Sequence, residues 1–218
     1  MAEEYLTDDE QLEAVKRWTV ENGAWLAGGI VLGAAVLFGY RYYQTYKTER
    51  ALKAAAQFSE MTAALGRDDR SASQKLGEAL VKDYSDTPYA DQAELALARL
   101  SVDAGDLGKA VAPLTHVINE SKDDGLKNIA RLRLARVLSD QGKPDEALAT
   151  LAVSPPAAFA AGFHEVRGDA FFAKKNFSAA RGEYQAALTG GDARSANVAL
   201  LELKIADLGS AASDKVKP

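Results

Sequence analysis

Nineteen consecutive residues without a charge, Asn22 to Tyr40 (NGAWLAGGIVLGAAVLFGY), constrain this chain more than any other feature in it. A helix rises about 1.5 Å per residue, so the run reaches about 28 Å, close to the roughly 30 Å hydrocarbon core of a bilayer. Trp18 and Trp25 mark one margin, and Tyr40, Tyr42, Tyr43 and Tyr46 mark the other. Amphipathic rings favour the headgroup zone, which is where a spanning helix would place them. A buried core helix and a cleaved export signal are the competing readings. The second fits poorly, because a signal begins with a short basic region and this chain begins with a long acidic one.

The charge distribution sharpens the division. The first 21 residues carry a net −5, residues 22–40 carry none, and the remaining 178 balance 24 acids against 24 bases. A nucleic-acid binder needs a basic excess to displace counterions from phosphates, so that class is excluded. Before the span, Thr7-Asp8-Asp9-Glu10 has capping-box spacing, with Leu12, Val15 and Trp18 or Thr19 on one face of the helix it would open. Such a helix lies on the membrane surface, docks a partner, or is a solvated lead-in. Within the span, Gly29 with Gly33 and Ala35 with Gly39 are small-xxx-small pairs, which let a second helix approach closely. Lys16 and Arg17 precede the span, and Arg41, Lys47, Arg50 and Lys53 follow it; by charge count alone the C-terminal side would face the cytoplasm.

After Tyr40 no Gly or Pro occurs until Gly66, so the helix is expected to continue as a stalk. Beyond it, turn signals separate segments of helical periodicity, and no stretch alternates as a strand does. Helices are expected near residues 71–83, 88–103, 107–120, 125–140, 144–152, 158–174, 177–189 and 193–208. The segments repeat. Ala98…Gly105-Asp106…Ala110, Ala135…Gly142-Lys143…Ala147 and Gly168…Lys175-Asn176…Ala180 share one register: a small residue, a polar turn, then Ala twelve positions on. Leu114, Leu151 and Tyr184 follow at equivalent places in the second helices. A period near 34 with small residues at the helix crossing is the tetratricopeptide signature. Glu94 and Arg131 stand where a large aromatic is usual. The fold class is therefore all-α: an N-terminal single transmembrane helix followed by a tetratricopeptide-repeat-like helical solenoid. Its parts are an acidic N-terminal helix (1–21), the transmembrane helix (22–40), a stalk with the first helix of a degenerate repeat (41–70), the repeat domain (71–209) and a flexible tail (210–218).

No catalytic constellation emerges. The chain has no Cys, and His116 and His164 fall in different repeats without metal-ligand spacing. Neither an enzyme nor a cofactor, metal or small-molecule substrate is expected. Protein binding is. In repeat proteins the first helix of each pair lines the concave face, and the register puts Arg99 and Arg136 at equivalent positions there. Asp169 stands third, with Gln92, Ser139 and Phe172 nearby. Stacked arginines beside an aromatic can grip a peptide's carboxylates or carbonyls. Pairing with Asp103 and Asp140 one turn away is the alternative.

The stretch Gln11-Leu12-Glu13-Ala14-Val15-Lys16-Arg17-Trp18, then Glu21-Asn22-Gly23, the Gly-rich span and Gly39-Tyr40-Arg41-Tyr42-Tyr43 resembles the YfgM-type ancillary subunits of the SecYEG translocon. The Leu132-Arg133-Leu134-Ala135-Arg136-Val137 helix is similar too. The resemblance implies a bacterial inner-membrane protein with a cytoplasmic N-terminus and periplasmic repeats. It implies export-channel subunits and a membrane-anchored periplasmic chaperone as partners, and a role in passing emerging polypeptides to chaperones. That orientation is adopted over the one the charge count suggests. A membrane-anchored scaffold for division or respiratory-complex machinery shares every physical feature and differs only in its partners.

Overall fold

The computed structural model describes residues 8–189 and 197–213, and among these every regular element is a helix. Two compact units divide the chain at Leu52/Lys53.

The first unit is helical from Asp8 to the boundary, as part of α1 (Asp8–Gly66). The expected acidic helix and the apolar run are not separated by a break. Asn22-Gly23 weakens the helix locally, but neither residue removes the backbone donor that a proline would. The expected cap at Thr7 lies outside the described residues. Along the apolar run the side chains are uncovered: Ile30, Val31, Leu32, Leu37 and Phe38 are each about two-thirds exposed or more. A helix that buried its apolar face in a soluble core would not look like this. Trp18 and Tyr40, both exposed, stand 22 residues apart, so about 33 Å along the axis.

The second unit starts with the last turns of α1 and continues through α2 (Arg70–Asp83), α3 (Pro88–Asp103), α4 (Leu107–Glu120), α5 (Asp124–Asp140), α6 (Pro144–Thr150), α7 (Ala157–Ala173), α8 (Phe177–Thr189) and α9 (Val198–Ser213). Local chemistry sets most starts. Asp69, Asp106 and Asp123 accept the amides of Ala72, Lys109 and Leu126 at 3.0, 3.2 and 3.0 Å, and Pro88 and Pro144 occupy first-turn positions where no amide is missed. The turns after α3, α5 and α7 close alike. Gly105, Gly142 and Lys175 all take left-handed backbone conformations. The amides that follow them, on Asp106, Lys143 and Asn176, donate to Ser101, Leu138 and Phe171 carbonyls at 2.8, 2.9 and 2.9 Å. Equivalent turns at equivalent positions show three copies of one helical hairpin.

Helices α3, α5 and α7 touch in succession, so they form the inner layer of the stack, with α4, α6 and α8 outside. Ala98, Ala135 and Gly168 sit buried at the crossings. The main core gathers around Leu114, Leu134, Leu151 and Phe163. Ahead of it, the end of α1 and α2 make a leading hairpin: Met61 and Leu80 are fully buried, and Ser73 Oγ donates to the Met61 carbonyl at 3.3 Å. At the far end α9 covers α8 through Leu201 and Leu208. It runs to Ser213, beyond the expected limit of 208, and the start expected at 193 lies outside the described residues.

Candidate functional site

The inner layer carries the candidate site. Arg99 on α3 and Arg136 on α5 keep the equivalence that their 37-residue spacing predicts, and Arg133 lies one turn before Arg136. A groove of about 750 Å³ runs between the end of α1, α3 and α5, walled by Phe58, Leu95, Leu126 and Ile129, with Gln92, Arg99 and Arg133 at its polar edge. A second cavity of about 360 Å³ continues it between Val102, Leu114 and Val137, beneath Arg99, Arg133 and Arg136. Arg99 and Arg133 line both, so the two are one surface. Each volume falls in the roughly 300–1,000 Å³ range of ligand clefts.

The three guanidinium groups are not equally satisfied. Arg99 pairs with Asp103 at 3.6 Å, one turn along α3, at an exposed position. Such pairs add little and open readily. Arg133 Nη1 donates to the Leu95 carbonyl at 3.1 Å, which ties α5 to α3 without neutralising its charge. Partial burial, and then the like charges of Arg99 and Arg136, hold its pKa below the usual guanidinium range. It stays cationic, since the ordinary guanidinium value is far above any working pH. Arg136 forms no ion pair among the described residues, and Asp140 lines the same cavity without reaching it. Across the connected groove Arg70, Arg99, Arg133 and Arg136 thus face Asp68, Asp103 and Asp140, and Arg133 and Arg136 have no carboxylate partner among the described residues.

The residues predicted from the sequence divide. Gln92, Arg99 and Arg136 line the connected groove. Ser139 does not; it stands in the last turn of α5, where its carbonyl accepts from Gly142 at 2.9 Å and its buried Oγ has no partner. Asp169 is taken up inside the fold: it accepts from the Tyr184 hydroxyl at 2.8 Å and from Lys204 Nζ at 2.7 and 3.0 Å, with Glu165 on the same lysine at 3.0 Å. Phe172 is exposed at the end of α7, its ring 5.7 Å from Phe177. Arg133 was the residue to add. Its signal was its place three positions before Arg136, on the same helix face.

In the span, a Cβ built at Gly29, Gly33 or Gly39 meets nothing within 4 Å, and Ala35 is exposed. Within the first unit nothing among the described residues packs on this face.

Both histidines join helices within a repeat. His116 Nδ1 on α4 lies 2.8 Å from Glu94 Oε2 on α3, and His164 Nδ1 on α7 lies 2.7 Å from Glu183 Oε2 on α8. Glu94 and His164 occupy the register position where the repeat consensus has an aromatic. A polar pair across the hairpin replaces an apolar wedge. Among the described residues no group of three His, Cys, Asp or Glu could hold a metal ion.

The tetratricopeptide repeat-like domain family matches residues 16–210, most of the chain. Over 206 residues the sequence is 32% identical to a protein of Escherichia coli K12 named ancillary SecYEG translocon subunit, covering 94% of this chain and 98% of that one. A protein of the same name from Haemophilus influenzae is 29% identical over 78% of this chain and 77% of its own. Another from Neisseria gonorrhoeae is 29% identical over 94% of this chain and 98% of its own. No solved structure matches the chain significantly.

Proposed function

The chain belongs to the family of ancillary SecYEG translocon subunits, and on that footing we propose that it is a non-enzymatic adaptor anchored at the bacterial protein-export channel. The observation that carries this reading is the pairing of two unpartnered surfaces in one chain. One is an exposed apolar helix of membrane-spanning length with a glycine-lined face. The other is a repeat domain whose inner layer presents an open groove. An enzyme needs convergent acid, base or nucleophile groups, and here the histidines and the half-buried carboxylates are spent on holding helices together. Repeat stacks supply surface instead of chemistry.

In this reading residues 22–40 cross the inner membrane and pack against channel subunits. The acidic N-terminus stays in the cytoplasm, and the repeats stand in the periplasm. There they hold emerging polypeptide, a membrane-anchored periplasmic chaperone, or each in turn, and so pass one to the other. The balanced charge of residues 41–218 suits a surface that selects by shape and local pairs.

Purifying the full chain in mild non-ionic detergent tests the assignment. Channel subunits and a periplasmic chaperone should come with it, and their absence under conditions that keep the channel intact would sink the reading. A reporter active only in the periplasm, fused after Lys217, tests orientation: it should be active, and a working cytoplasm-only reporter at the same point would reverse the topology.

A further inference from the structure

We propose that the groove under Arg99, Arg133 and Arg136 holds an extended peptide segment whose acidic side chains alternate with apolar ones; this rests on the adaptor reading and specifies what its repeat face takes. Charge complementarity is the argument. In the first cavity Arg70 and Arg99 are paired with Asp68 and Asp103. The second is lined by Arg99, Arg133 and Arg136 against Asp140 alone, a local excess in residues 41–218, whose acids and bases balance. Arg99 has only an exposed carboxylate partner, Arg133 is bonded to a neutral carbonyl, and Arg136 has no ion pair among the described residues. All three arginines are exposed, so their mutual repulsion is modest, and an anion entering between them relieves it. Guanidinium forks suit carboxylates because two parallel hydrogen bonds form at once. Leu126, Ile129, Val102 and Val137 wall the two cavities beside the charges, so a bare anion would leave apolar surface uncovered where a side chain next to the acid would fill it.

The test is fluorescence anisotropy with the full chain in non-ionic detergent micelles. The probe is a dye-labelled peptide of Asp and Glu alternating with Leu and Val, compared with the same peptide carrying Asn and Gln instead. The acidic peptide is expected to bind about tenfold or more tightly than the amide peptide, and to weaken as salt rises. Arg136→Gln and Arg133→Gln should each cost about five- to tenfold in affinity, while Arg181→Gln on the outer helix α8 should change nothing. Arg136→Gln removes no bond within the described residues, so it reports on the groove even if Arg133→Gln disturbs α5. Equal binding of the two peptides, or unchanged affinity in Arg136→Gln, overturns the proposal. So does self-association of the chain that the same substitutions abolish, since a second copy would then fill the groove. Channel subunits co-purified with Arg136→Gln separate the two levels: if they are retained while the peptide preference is absent, the groove assignment fails and the adaptor reading stands.

Discussion

A Cβ added to Gly168 would lie 2.5 Å from Cδ1 of Tyr184, and this clash accounts for the glycine that the third hairpin has where the first two have alanine. There the equivalent pairs are Ala98 with Leu114 and Ala135 with Leu151, all buried. The larger ring is accommodated by the smaller residue opposite. Gly168→Ala should therefore destabilise the repeat domain by about 1–3 kcal/mol, because a rigid ring between α7 and α8 has little room to yield. Tyr184→Leu alone also destabilises, through lost contacts and the lost hydrogen bond to Asp169. Combined, the two should cost clearly less than their sum. Urea unfolding of the four proteins gives the coupling directly, and additivity would show that the pair is not the constraint claimed.

Lys175 holds φ +61° in the turn that Gly105 and Gly142 make with φ +78° and +75°. A side chain in the left-handed region costs roughly 1–2 kcal/mol relative to glycine, offset in part by the greater freedom glycine has when unfolded. Lys175→Gly should raise stability by about 0.5–1 kcal/mol, with no change at the groove. A fall in the melting temperature would contradict the shared-turn account.

Lys204 joins α9 to α7 through Asp169 and Glu165, and the three side chains are 23%, 34% and 20% exposed. Burial pushes the Lys204 amine down, and the two carboxylates outweigh it, leaving its pKa raised. Replacing it with Met leaves two carboxylates facing each other, at a cost of about 1–3 kcal/mol. The loss should be local. Hydrogen exchange should accelerate in α9 and the end of α8 and stay unchanged in α3 to α5. Uniform acceleration across the stack would mean that α9 is no separate cap.

Glu94 supplies a pH test. Burial raises its carboxyl above the ordinary 4.5, against the opposing hydrogen bond and charge of His116, and the charge of Asp91 adds to the rise. An acid whose folded pKa is raised contributes stability that is fully present below its unfolded pKa and is lost as pH climbs through the folded one. Glu94→Gln, which keeps a polar partner for His116 and has no such titration, should gain on the parent from pH 4.5 upward until Glu94 has ionised. The difference between their unfolding free energies, followed from pH 4 to 8, should move in that direction only. A difference moving the other way would show that the His116 contact outweighs burial.

Much of this was legible in the residues, for reasons that are local. Asp69, Asp106 and Asp123 begin helices because a carboxylate satisfies a free amide, and Pro88 and Pro144 because they need none. The small-residue register carried the hairpins, and the turns at 105, 142 and 175 confirm it backbone by backbone. The expected boundaries of α2 to α8 lie within two residues of those observed. Side-chain destinations were less legible. Asp169 shares a register position with two groove arginines, yet Lys204, 35 residues later, draws it into the fold; no local pattern encodes that meeting. Arg133 joins the groove because α5 packs against α3. Its Leu95 contact spans 38 residues of sequence. The glycine face of the span is readable as a spacing, and in the structure it stays open.

A photo-crosslinking amino acid at Gln92, on the groove's polar edge, tests the adaptor account most directly. In cells carrying an exported polypeptide arrested in the channel, the account predicts an adduct between position 92 and the segment that has already crossed the membrane. A crosslinker placed at Arg181, on the outer layer, should give far less. Adducts with the part still on the cytoplasmic side, or none at all while the arrested chain is present, would contradict it.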